Sequence, residues 1–82
     1  MNSIQKFEND KEFRSSVLRL EGMIDSAIIN AAKNPNSVSI NAPIDLTVEM
    51  FEVLWKRYTD IGWTTFAWNQ ETNKILIQKR KE

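Results

Sequence analysis

Between Leu46 and Lys79 the hydrophobic period of the sequence changes from that of a helix to that of strands, and Gly62-Trp63 marks the change. Before it, apolar residues recur every three or four positions. After it, Trp63-Thr64-Thr65-Phe66-Ala67-Trp68 and Lys74-Ile75-Leu76-Ile77-Gln78-Lys79 alternate with a period of two. Gly62 suits the position just past a helix, where the backbone turns left-handed. Asp45 or Thr47 is placed to cap the other end. Glu49 and Glu52 stand nearer the positive end of the helix dipole, Lys56 and Arg57 nearer the negative end. A capped helix running into a hairpin commits the chain to an α+β arrangement, with the helix lying on the sheet that the hairpin begins.

Pattern alone proposes the hairpin register. Pairing Phe66 with Ile77 and Trp68 with Ile75 gathers the large apolar side chains on one face, with Gln70-Glu71-Thr72-Asn73 as the loop and Asn73 in a left-handed position. Extending that register places Trp63 opposite Arg80, Thr65 opposite Gln78 and Ala67 opposite Leu76 on the other face, where Arg80 can stack on the Trp63 indole. Upstream, Ser37-Val38-Ser39-Ile40-Asn41-Ala42 reads as a half-buried strand closed by Pro43. The strand from Lys74 is the most apolar and is placed centrally, so the expected order is first, third, second. The helix between the first two strands then makes a right-handed crossover that skips one strand; adjacent parallel pairing of those two strands is the alternative.

The N-terminal third is expected to hold one long helix. Asn9 followed by Glu12 resembles a capping box, and Phe13, Val17, Leu20, Ile24, Ala27, Ile28 and Ala31 share one helical face to about Lys33, where Asn34-Pro35 ends the run. Gly22 in its middle either kinks the helix or marks a close packing partner. Residues 1–8 read as an arm that is loose unless it docks, and residues 80–82 as a frayed basic tail. The expected fold is therefore a single α+β domain over residues 1–82, in the order α-β-α-β-β, with a three-stranded sheet and two helices on one face.

Composition excludes more chemistry than it suggests. The chain has no histidine and no cysteine, so imidazole bases, thiolate nucleophiles and ordinary zinc sites are not available to it. Two glycines cannot build a phosphate-cradling loop. The carboxylate pairs Glu49 with Glu52, Asp10 with Glu12 and Glu21 with Asp25 are accounted for by solvated helix faces and caps. The reading is therefore non-enzymatic, with no catalytic residue, cofactor or metal expected. Eleven basic residues balance eleven acidic ones, leaving no global field toward nucleic acid or an anionic membrane. With no apolar run of membrane-spanning length and no leader-like segment, a cytoplasmic location is the default.

Three surfaces remain for binding. The helix after Thr47 is wider in its apolar arc than one packing face needs: Leu46, Met50, Val53, Leu54 and Ile61 form one flank, and Val48, Phe51, Trp55 and Tyr58 widen the arc to about 220°. Phe51 and Trp55 therefore either pack on the first helix or form a partner or self-association surface, and a homo-oligomer is expected. Trp63, Lys79 and Arg80 on the open sheet face could form an aromatic-and-basic platform for a single nucleic-acid strand, or simply a charged end that keeps the sheet edge soluble. A cavity lined by Trp55, Tyr58 and Trp68 could hold a small molecule, as in an oligomeric sequestering protein, or these aromatics are core.

Taken over Asn34 to Lys79, with Val38-Ser39-Ile40, Arg57-Tyr58, Gly62-Trp63 and Ile75-Leu76-Ile77 as its carrying features, the pattern resembles small accessory proteins encoded by tailed bacteriophages. That resemblance implies a stoichiometric binder in the host cytoplasm, one that blocks a host protein, binds nucleic acid or sequesters a small signalling molecule. It transfers no site residue.

Overall fold

The computed structural model describes residues 2–30 and 37–79, in which six elements follow one another: α1 (Ser3–Asn9), α2 (Lys11–Asn30), β1 (Ser37–Asn41), α3 (Val48–Asp60), β2 (Trp63–Asn69) and β3 (Lys74–Lys79). The fold is α+β. Its sheet has the order β1-β3-β2 with both pairings antiparallel, so β3 is central, as its apolar sequence predicts, and the first two strands do not pair. The hairpin register is Phe66 with Ile77, Trp68 with Ile75, Thr65 with Gln78 and Ala67 with Leu76. Asn73 closes the loop with φ 54°, its side-chain oxygen accepting from the Trp68 indole N–H at 3.1 Å and its carbonyl from the Ala42 amide at 2.9 Å. The same four-residue loop thus ties the end of β1 to the hairpin.

At the helix end of the hairpin the structure corrects the register. Trp63 pairs with Lys79, not Arg80, because a bulge lies between Trp63 and Thr65. Thr64 is the extra residue, and its hydroxyl donates to the Gln78 carbonyl at 3.2 Å. An inserted residue moves everything before it to the opposite face. Trp63 accordingly packs against the hydrophobic core on the helix side, and the Lys79 ammonium stands 5.7 Å from its ring centroid. Arg80 and the rest of the tail expected to fray lie outside the described residues.

Three helices, not two, cover the core. Residues 1–8 were expected to be a loose arm, yet Ser3–Asn9 is helical and packs on both α2 and α3. Its cap is complete: the Asn2 side chain accepts from the Gln5 amide at 2.8 Å while Gln5 accepts from the Asn2 amide at 3.2 Å. The box read at Asn9 and Glu12 is displaced by one residue, since Asp10 Oδ1 accepts from the Glu12 and Phe13 amides at 3.0 and 3.1 Å and starts α2. Of the two caps offered for α3, Thr47 serves, accepting from the Met50 amide at 3.2 Å; Asp45 instead pairs with Arg19. Gly62 ends the helix at φ 111°, a conformation that a side chain would strain.

The core is formed by Phe13, Val17, Leu20 and Ile24 of α2, Val53, Leu54 and Tyr58 of α3, and Phe66, Ile75 and Ile77 of the sheet. Phe66 is its aromatic centre, with ring centroids 4.8 Å from Tyr58 and 5.2 Å from Phe51, both nearly parallel. α2 runs unbroken through Gly22, where an added Cβ would meet nothing within 4 Å. Neither a break in the helix nor a close neighbour explains that glycine. Gly22→Ala should therefore raise stability by about 1 kcal/mol, seen in urea as a higher midpoint with an unchanged slope; a lower midpoint would mean that the helix needs the freedom of glycine there. The expected turn at Asn34-Pro35 lies outside the described residues.

Candidate functional site

α3 positions the residues that the width of its apolar arc singled out. Phe51 and Trp55, one turn apart, face the start of α1 across an open groove of about 530 Å³, lined by Asn2, Ser3, Ile4, Phe51, Glu52, Trp55 and Lys56. Phe51 forms its floor: it is half-buried and stacked on Phe66, with Trp68 at 5.7 Å. Trp55 forms its rim and is 50 % exposed. Trp55 does not join the core as packing on the first helix would require, whereas Phe51 does. Phe51 belongs to the sheet side of the core, and Trp55 borders α1, an element absent from the expected architecture. Val48, also exposed, stands two turns before Trp55 on the same helix face. Glu52 and Lys56 line the same groove with opposite charges, and Lys56 reaches Asp60 at 3.2 Å in an exposed pair. Two polar side chains tie α1 to its neighbours beside the groove: Lys6 bonds Glu49 at 3.4 Å, and Arg14 donates to the carbonyls of Phe7 and Glu8.

The proposed sheet platform is not assembled. Trp63 points to the helix side, Lys79 lies over it, and Arg80 is outside the described residues. The open face instead presents Thr65, Ala67, Leu76, Gln78 and Ser39, and towards the hairpin loop a hollow of about 420 Å³ is lined by Ser39, Ala67, Trp68, Thr72, Lys74 and Leu76. Nor do Trp55, Tyr58 and Trp68 enclose one cavity. Tyr58 is core beneath Phe66, Trp68 packs near Phe51, and Trp55 is outside.

A second opening, unforeseen in the sequence, lies between α2 and the end of α3, lined by Glu21, Asp25, Arg57, Tyr58, Asp60 and Ile61. Arg57 donates from Nε and Nη2, along one guanidinium edge, to the two Glu21 carboxylate oxygens, the Nη2 contact measuring 3.0 Å, and this pairing raises the guanidinium pKa above its ordinary value. The buried Tyr58 hydroxyl donates to Asp25 Oδ1 at 2.5 Å and lies 3.2 Å from the Glu21 carbonyl. Burial first, and then the Asp25 carboxylate, push the phenol well above its ordinary 10.0. These contacts satisfy one another, and among the described residues no buried side-chain polar atom lacks a partner. The cluster is a tie between two helices.

A measurable pH dependence follows from that tie. A phenol whose pKa is raised on folding contributes stability that is whole below the unfolded value near 10.0 and is lost as pH rises beyond it. Tyr58→Phe should cost about 1 to 3 kcal/mol at neutral pH, and its deficit should shrink above that value because the variant has no phenol to titrate. Tyr58 is the only tyrosine, so tyrosinate absorbance follows this group alone; parallel stability curves for the two proteins through the alkaline range would contradict the assignment.

No helix among the described residues is long and apolar enough to cross a membrane. No family model, curated protein or solved structure matches the chain.

Proposed function

We propose that this chain is a non-enzymatic interaction protein that works by burying the groove between α1 and α3 against another protein. The observation that carries this reading is the position of Trp55. A tryptophan half in water at the rim of an apolar hollow floored by Phe51 and Ile4 is costly to leave bare, and large aromatics beside a hollow are the usual anchors of protein interfaces. Modulation of a host protein by a phage-encoded binder, one of the roles implied by the resemblance, is one form of such an activity, and a cytoplasmic location accords with it. Single-strand nucleic-acid binding draws less support, because Trp63 faces the helices and offers no indole for bases to stack on. Sequestration of a small molecule draws less as well, since its three expected aromatics lie apart.

Immobilised protein carrying Trp55→Glu should lose a protein that the wild type captures from a lysate of the cells in which the chain is made. Leu76→Glu, on the open sheet face, should retain it. The reverse pattern would move the docking surface to the sheet.

A further inference from the structure

The groove carries on one patch both halves of an interface. Trp55 projects from its rim, and the hollow floored by Phe51 and Ile4 lies beside it. Glu52 and Lys56 sit one turn apart on the same α3 face, opposite in charge and both exposed. A surface that holds a knob, a hole and a plus-minus pair along one helix is complementary to itself when turned end for end, as a two-fold interface requires. Turning α3 antiparallel on its copy about a point midway between Glu52 and Lys56 sets Glu52 of each copy against Lys56 of the other, and brings each Trp55 to the other's hollow. Among the described residues Lys56 pairs with Asp60 in an exposed contact, a type of pair that gives way at little cost. The chain as a whole carries no net charge to oppose association.

We propose that the occupant of the groove is a second copy of this chain, docked by two-fold antiparallel packing of α3 on α3. This rests on the reading of the groove as a docking surface and names what docks there. A second copy matches the order of charge along this helix face by symmetry alone.

Sedimentation of the full chain at micromolar concentration tests the proposal. The wild type should run as a dimer, and Trp55→Glu as a monomer with an unchanged circular dichroism spectrum, since Trp55 lies outside the core. Glu52→Lys alone places like charges at both symmetry-related contacts and should weaken the dimer about tenfold or more; Glu52→Lys with Lys56→Glu should return it to within about threefold of wild type. A double variant no tighter than the single one overturns the antiparallel pairing. A wild type that stays monomeric at millimolar concentration overturns the dimer. If in that case Trp55→Glu still abolishes capture of a foreign protein, the interaction reading stands without this inference; if Trp55→Glu changes neither measurement, both fall.

Discussion

Phe66→Ala should lower the stability of the protein by about 3 to 5 kcal/mol, the largest loss expected from any single truncation in the sheet. Phe66 is buried between Tyr58 and Phe51 and opposite Ile77, so its removal leaves a cavity bordered by two stacked rings and a central strand. Collapse of the site is hindered because Tyr58 is also held by its hydroxyl to Asp25. Thr65, its neighbour on the open face, makes no such contacts, and Thr65→Ala should cost under about 1 kcal/mol. Urea melts of the two variants followed by circular dichroism give the comparison directly, and equal losses would contradict the register.

Trp63→Ala should cost about 2 to 3 kcal/mol, less than a fully buried aromatic because Trp63 packs on the core from its edge. This value separates two placements of the same residue. An unbroken alternation places Trp63 on the open face, where its loss would change stability by no more than about 1 kcal/mol. With the bulge at Thr64 it closes the end of the core beneath Lys79. A near-neutral Trp63→Ala in the same melts would show that the bulge is absent and return the indole to solvent.

The hairpin was legible because each signal acts locally: paired large apolar residues fix the register, and Asn73 tolerates the left-handed turn. The central position of β3 followed from its apolar character for the same reason. The bulge was harder to read, because Thr64 and Thr65 are identical and alternation cannot say which is extra. A signal was nonetheless present. Trp63 and Phe66 are three residues apart, an odd spacing that puts both inside a sheet only if one residue between them is inserted. α1 was missed because its seven residues are too few to display a period, although Asn2 and Gln5 spell its capping box. A helix this short is stable only through packing, which local sequence does not record.

The candidate site divides along the same line. That α3 carries more apolar surface than one face needs is written in the spacing of Val48, Phe51 and Trp55. That the surplus is shared between the sheet side of the core and a groove walled by α1 is a tertiary fact, dependent on the docking of α1. The Glu21–Arg57 and Tyr58–Asp25 ties join residues more than thirty positions apart, and no local pattern announces them.

Docking of another protein at the groove beside Trp55, and not on the sheet face, is the proposal with the most to lose. Its most direct test is to install a photoreactive phenylalanine derivative at position 55 and, in a separate protein, at position 65, and to irradiate each inside the cells that make the chain. Position 55 should yield a discrete protein adduct, of twice the chain mass if the occupant is a second copy, while position 65 yields none. Adducts from position 65 with none from position 55 would contradict the account.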